Sequence, residues 1–286
     1  MMAALLALLA SALWGTADFL GGTATRRLPV ISVLGISQLV ALLGLVPVAV
    51  GLGALSADRA YVLPGVLAGL AGVVALAAFY RALATGTMGV VAPVASLGVI
   101  VPVGVGLAQG ERPGALQVAG IVLAVAGVVL ASGPELSGRG RGGAVPLLLA
   151  GGAALGFGTV FVLIAAGSAD GLTGSVVMLL LTMRLSAVVV LAVLLLVVSR
   201  SRGVGLSVRR RDLPVLVVIG GCDVAANAAY AVASQSDLIS VAAVLASLYP
   251  VVTVLLARQF HAERLARLQL VGVGSALVGV LLLAGG

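Results

Sequence analysis

Cysteine and histidine are almost absent from this chain of 286 residues, which contains only Cys222 and His261. A single cysteine excludes a disulfide framework, and the two residues fall short of the four ligands of a structural zinc site. The chain also lacks the cluster of histidine, cysteine and carboxylate residues that a catalytic centre at a membrane interface would need. We therefore expect neither an enzyme nor a bound cofactor or metal.

Charge is scarce as well, since 9% of the residues are charged and lysine is absent. The net charge of +7 would suggest nucleic-acid binding in a soluble chain, but most of the sixteen arginines lie in short segments between apolar stretches. That distribution is typical of a membrane protein, in which basic loops set the orientation. The expected surroundings are a lipid bilayer, and no nucleic-acid partner is expected.

Apolar residues make up 62% of the chain, and forty glycines allow helices to approach closely. A helix that crosses a bilayer needs about 20 apolar residues, so ten such helices leave no room for a separate soluble domain. The N-terminus lacks the basic segment of a cleavable signal, and residues 2–22 are expected to be a retained helix. The predicted spans lie at about residues 3–22, 30–52, 62–84, 88–108, 114–132, 144–166, 174–198, 213–234, 238–258 and 266–284.

The second half of the sequence repeats the first. The triplet Ala-Ser-Leu at 95–97 recurs at 246–248, and Trp-Gly-Thr at 14–16 matches Phe-Gly-Thr at 157–159. The offset between matched positions drifts upward along the chain, as small loop insertions would produce. Further matched pairs are Glu111 with Glu263, Gln117 with Gln269, Pro64 with Pro214, and Tyr80 with Tyr230.

Because five is an odd number, a second copy of a five-span unit enters the membrane in the opposite sense. The sequence therefore predicts an all-α integral membrane protein, with ten transmembrane helices in two inverted five-helix repeats. This is a layout of alternating-access transporters. We expect the first repeat at 1–132 and the second at 144–286. Residues 133–143 are rich in glycine and charge, and we expect them to form a flexible linker.

Several short motifs resemble the EamA type of the drug/metabolite transporter (DMT) superfamily. They are Trp-Gly at 14–15, Ala-Phe-Tyr-Arg-Ala-Leu at 78–83, Leu-Tyr-Pro-Val at 248–251, Gly-Glu-Arg at 110–112 and Ala-Glu-Arg at 262–264. The resemblance extends over nearly the whole chain. It implies two inverted repeats around a central substrate cavity, and export of small metabolites or amino acids, often with proton antiport. Because members of the family transport many different substrates, the resemblance does not identify a particular one.

Three ionisable residues are predicted inside the membrane: Asp18, Arg184 and Asp223. Each costs roughly 2.5–3.5 kcal/mol at a helix centre and persists only where it is paired, hydrated or useful. Arg184 and Asp223 lie at similar depth in the seventh and eighth spans, which predicts an ion pair. Two interpretations stay open. The pair is a permanent salt bridge, or Asp223 binds a proton or an ammonium group and Arg184 changes partner.

The other candidate residues follow from helical spacing. Asp223, Asn227 and Tyr230 are spaced i, i+4 and i+7, so they share one face of the eighth span. Trp14 and Asp18 share a face of the first span, where the second repeat has phenylalanines. Each repeat thus supplies one acid to an apolar cavity, either for an asymmetric ligand or by drift after duplication. The predicted substrate-binding residues are Trp14, Tyr80, Phe157, Phe161, Asp223, Asn227 and Tyr230, and the predicted coupling or ion-pairing residues are Asp18, Arg184 and Arg81.

Three minor features carry structural expectations. Arg81 lies toward the same membrane side as Asp18 and either pairs with it or extends to the interface. Glu111 and Glu263 each precede a span, and we expect each to face the N-terminus of the helix that follows it. Kinks are expected at the prolines inside the fourth and ninth spans, Pro93, Pro102 and Pro250.

A secondary transporter is the function that these features favour. It would move a small metabolite, either an amino acid or an amphipathic or cationic compound, as an exporter coupled to protons. Uptake by the same fold is one alternative, and a channel or structural membrane protein is another. The expected location is the cell membrane, of the bacterial inner-membrane type. The sequence leaves open whether the chain is a monomer or a homodimer.

The orientation in the membrane receives two opposing predictions. Loops on one side hold twelve arginines and those on the other side hold two, so the positive-inside rule places both termini outside the cytoplasm. The family resemblance implies termini inside. Following the charge count, we predict that a reporter active only outside the cytoplasm works when fused to Gly286. Activity there of a reporter that works only in the cytoplasm would contradict the charge count.

Overall fold

The computed structural model describes residues 2–57, 59–86, 88–132, 144–169, 173–202, 208–235, 239–261 and 267–285. Within these ranges the chain is almost wholly helical and contains no strand, which confirms the all-α class. The α-helices are α1 (Met2–Thr25), α2 (Val30–Gly51), α3 (Val62–Thr85), α4 (Met88–Ser96), α5 (Ile100–Ala108), α6 (Ala115–Ser132), α7 (Ala144–Gly167), α8 (Thr173–Arg202), α9 (Leu213–Ala233), α10 (Ile239–Ala246), α11 (Tyr249–His261) and α12 (Arg267–Gly285).

The outer surface of the helices is apolar, as a bilayer requires. Leu63, Val74 and Leu148 are 68%, 70% and 74% exposed. Within the described ranges, seven helical segments are long and apolar enough to cross a membrane: α1, α2, α3, α7, α8, α9 and the segment 239–260. Shorter apolar helices occupy 94–108 and 115–127. These features define an all-helical, multi-pass membrane protein.

The fourth and ninth predicted spans are broken rather than continuous. A 3-10 turn at Leu97–Val99 separates α4 from α5, and a turn at 247–248 separates α10 from α11. Proline explains both positions, because it has no amide hydrogen to donate to the carbonyl four residues earlier. Pro102 lies in the first turn of α5, and Pro250 is the second residue of α11. Both prolines therefore help to start a new helix after a break.

The helix contacts of the two halves correspond. Helix α3 packs on α7 as α1 packs on α9, and α3 packs on α8 as α2 packs on α9. Helix α1 contacts α10 and α11, while α7 contacts α4 and α5. The pairs α2 with α8 and α6 with α12 join corresponding helices. Exchanging the first-half helices with their second-half counterparts thus reproduces these contacts.

Two glycines in the repeated triplets allow closely similar approaches in the two halves. A Cβ on Gly15 of α1 would lie 2.5 Å from the carbonyl oxygen of Tyr249, directly after the α10–α11 break. A Cβ on Gly158 of α7 would collide with the carbonyl oxygen of Gly98, inside the α4–α5 break. In addition, the Thr253 hydroxyl donates to the Gly15 carbonyl at 3.1 Å. A helix of each half therefore packs closely against the broken span of the other half.

Replacing Gly158 by alanine is predicted to destabilise this contact. The added methyl collides with a backbone carbonyl, which cannot rotate away as a side chain can, so Gly158→Ala should cost ~1–3 kcal/mol. Gly151→Ala on the same helix is the matched control, because a Cβ there meets nothing within 4 Å. Thermal unfolding in detergent, followed by size-exclusion chromatography, measures the difference. Equal stability of the two variants would contradict the close approach.

Candidate functional site

A cavity lies between the two halves, and both contribute to its walls. Its volume is about 690 Å³, counted with the part that is open to the outside. Glycine, alanine, valine, leucine and methionine form much of the wall. The polar and aromatic lining residues are Trp14, Asp18, Gln38, Tyr80, Phe157, Phe161, Arg184, Asp223, Asn227 and Tyr249.

Arg184 and Asp223 form an ion pair beside this cavity, as the sequence predicted. The Nη1 of Arg184 lies 2.8 Å from Oδ2 of Asp223, and the arginine is 1% exposed. Gln38 of α2 completes the contact, because its Oε1 accepts from Arg184 Nη1 at 2.6 Å and its Nε2 donates to Asp223 Oδ2 at 3.3 Å. The pair thus connects three helices, α2, α8 and α9.

Further hydrogen bonds hold the Asp223 carboxylate. Trp14 Nε1 donates to its Oδ1 at 3.3 Å, which adds α1 to the set of connected helices. Asn227 Nδ2 donates to the same oxygen at 3.0 Å, and to the backbone carbonyl of Asp223 at 2.6 Å. Both carboxylate oxygens therefore have two donors each. Charge-assisted bonds of this kind are stronger than neutral ones.

Other polar groups of the cavity wall have no such partners. Nε and Nη2 of Arg184 and the hydroxyl of Tyr249 are buried without a hydrogen-bond partner in the part of the chain described. Asp18 is 6% exposed, and no hydrogen bond or ion pair to its side chain is found within the same ranges. An apolar site that presents unpaired polar groups is suited to a ligand that supplies the missing partners.

Three aromatic rings form a cluster at one end of the cavity. The ring centroids of Trp14 and Phe161 are 5.3 Å apart, and those of Phe161 and Tyr230 are 4.7 Å apart. Trp14 and Phe161 line the cavity, as predicted for binding residues. Tyr230 does not, because it is fully buried behind them and its hydroxyl donates to the Phe161 carbonyl at 3.3 Å. Helical spacing placed Tyr230 on the correct face of α9, but the neighbouring ring separates it from the cavity.

The remaining predicted residues divide into those at the cavity and one outside it. Tyr80 and Phe157 line the wall, and Phe157 packs edge-on against Phe79 at 5.4 Å. Arg81 is exposed and makes no ion pair with Asp18 among the described contacts. The interpretation that Arg81 extends to the interface therefore fits, and the interpretation that it pairs with Asp18 does not.

Glu111 contacts a different helix from the one expected. Its carboxylate accepts from the amides of Ile239 at 2.8 Å and Ser240 at 3.3 Å, and also from the Ser240 hydroxyl. It therefore meets the N-terminus of α10, in the other half of the chain, instead of that of α6. The physical principle is the expected one, since a helix N-terminus favours a carboxylate. Glu263 lies outside the described residues.

Two polar lining residues, Gln38 and Tyr249, were not among the binding residues predicted from the sequence. Gln38 corresponds to Arg184 when the two halves of the sequence are aligned. Tyr249 stands in the Leu-Tyr-Pro-Val motif at 248–251, which served only to indicate the family. The signal available for both was a difference between the halves, because Arg184 corresponds to Gln38 and Gly98 corresponds to Tyr249.

The fold and the cavity define a multi-pass helical membrane protein with an internal cavity. Residues 1–133 match the model of the EamA-like transporter family, which confirms the resemblance over the first half of the chain. That family consists of transporters, not of enzymes. A solved structure, described only as the crystal structure of a protein, aligns with 98% of this chain and 95% of its own. Its TM-score is 0.71 at 19% identity, so it shows the fold alone. No curated protein matches the chain significantly.

Removing the charge of Asp223 is predicted to destabilise the protein strongly. Asp223→Asn leaves Arg184 as a buried charge without its counter-ion, which costs about 3–5 kcal/mol. Asp18→Asn is the matched control, because the Asp18 carboxylate has no partner to lose in the described ranges. Thermal unfolding in detergent should show a large loss for Asp223→Asn and none for Asp18→Asn. The opposite ranking would contradict a structural ion pair.

Proposed function

We propose that this protein is a secondary transporter that moves a small metabolite by alternating access around the cavity between its halves. The observation that carries the proposal is the cavity itself, whose wall combines side chains from both halves of a chain with corresponding helix contacts. Transporters built from inverted repeats bind their substrate near the midplane, at the repeat interface and beside discontinuous helices. The family match over residues 1–133 supports the same function.

The proposed architecture has ten spans in two inverted repeats, 1–132 and 144–286. Counting α4 with α5 and α10 with α11 as one broken span each gives five spans in each repeat. Helix α4 contacts α11 while α5 contacts α10, so the two broken spans run past each other in opposite directions. That arrangement supports inversion. The proposed linker, residues 133–143, lies outside the described residues.

The proposed substrate is a small amino acid or an amphipathic or cationic compound. Aromatic rings supply apolar contact, Asp18 can meet an ammonium group, and Arg184 offers unpaired donors beside the cavity. We propose export in exchange for protons across a cell membrane, with the monomer or a homodimer as the working unit. Uptake by the same site is the near alternative. A channel or a structural membrane protein is the second alternative.

Flux into proteoliposomes tests this function. A thermal-shift screen of metabolites first selects ligands, because a compound that binds the folded state stabilises it. For a selected ligand we expect saturable flux that an imposed pH gradient accelerates, and that reverses when the gradient is reversed. Flux that does not saturate would indicate a channel. Absence of flux for every stabilising ligand would indicate a protein that binds but does not transport.

A further inference from the structure

The charges in the cavity wall do not balance. Among the described lining residues, Arg184 carries a positive charge, and Asp18 and Asp223 can each carry a negative charge. Asp223 neutralises Arg184 through the 2.8 Å contact, and its carboxylate accepts hydrogen bonds from three further side chains. With both carboxylates ionised, Asp18 is left as one uncompensated negative charge.

The surroundings of Asp18 offer no permanent compensation. The residue is 6% exposed on α1, and the charge of Asp223 on α9 repels it. The titratable groups that face it from the packed helices are Asp223, Arg184, Tyr80 and Tyr249. Arg184 is already bound through Nη1 to Asp223 and Gln38. A buried carboxylate without a counter-ion is costly, so its neutralising partner must come from outside the fold.

Tyr249 supplies a second group suited to such a partner. Its hydroxyl is buried without a hydrogen-bond partner in the described part of the chain, and the residue lines the same cavity as Asp18. A hydroxyl can accept from an ammonium group or donate to a carboxylate. The rings of Trp14, Tyr80 and Tyr249 border the same space, and aromatic faces attract organic cations.

We propose that Asp18 and Tyr249 form a subsite for one positive charge, which is occupied in turn by the ammonium group of the substrate and by a proton. This inference rests on the proposed transport function and assigns its cation site. Asp223 then remains in its ion pair with Arg184 throughout. Because one carboxylate cannot bind both cations at once, the proton and the ammonium group compete for it. Each transport cycle then exchanges one cation for the other.

The single tryptophan of the chain provides a direct assay. Trp14 lines the cavity, so its emission, excited where tyrosine does not absorb, reports occupancy. Three probes separate the charges: phenylethylamine carries the ammonium group, 3-phenylpropanoate the carboxylate, and phenylalanine both. We expect saturable changes with phenylethylamine and phenylalanine, and little change with 3-phenylpropanoate. The affinity for phenylethylamine should fall as the pH is lowered, because protons compete for Asp18.

Three variants test the assignment. Asp18→Asn should weaken phenylethylamine binding by about tenfold or more and remove its pH dependence, since a charge-assisted bond is lost. Tyr249→Phe should weaken binding by about threefold and keep the pH dependence. Asp212→Asn is the matched control, because this buried acid pairs with Arg27 away from the cavity. It should leave both properties unchanged.

The possible results separate this proposal from the transport function. If Asp18→Asn keeps wild-type affinity and pH dependence, or if the wild type binds neither ammonium probe, the subsite is overturned. If the binding results hold but no probe is transported into liposomes, the subsite stands and the transport function fails. If transport of phenylethylamine by Asp18→Asn remains fully coupled to the pH gradient, the function stands and the subsite fails.

Discussion

The buried ion pair between Arg184 and Asp223 is the interaction on which the centre of this protein depends. In an apolar membrane core, either charge would be costly without the other. Gln38 bridges the pair and Trp14 donates to its acid, so the geometry of four helices is fixed by one buried contact. Gln38 and Arg184 occupy corresponding positions in the two halves yet touch each other.

Some positions at which the two halves have the same residue lie in the helix contacts that form the scaffold. Gly15 and Gly158 press against the broken helix of the opposite half, and the two breaks fall at matching positions. Several positions at which the two halves differ lie in the wall of the cavity. Asp18 corresponds to Phe161, and Tyr249 corresponds to Gly98. The backbones of Tyr249 and Gly98 both make a close contact with a glycine of the other half, but only Tyr249 adds a side chain to the cavity wall. The two halves thus enclose a cavity whose wall is asymmetric.

The sequence predicted the helices well, because an apolar stretch of membrane length has few alternatives to a helix. It also predicted the Arg184–Asp223 contact, since two opposite charges at equal depth have strong reason to meet. It failed where the outcome depended on a distant neighbour. Tyr230 lies on the predicted face of α9, but Phe161 of α7 covers it. Glu111 meets a helix N-terminus as expected, but that of α10, which follows it by more than a hundred residues.

By itself, the sequence indicated a multi-pass membrane protein, a similarity between its two halves, and three charged groups within its apolar spans. These properties follow from composition, from spacing along one helix and from self-similarity, all of which are local. The tertiary structure decided which of those charges have partners. Asp223 is paired, whereas Asp18 faces a cavity. Which acid is paired depends on how helices far apart in the chain pack together, and a local sequence pattern does not show this.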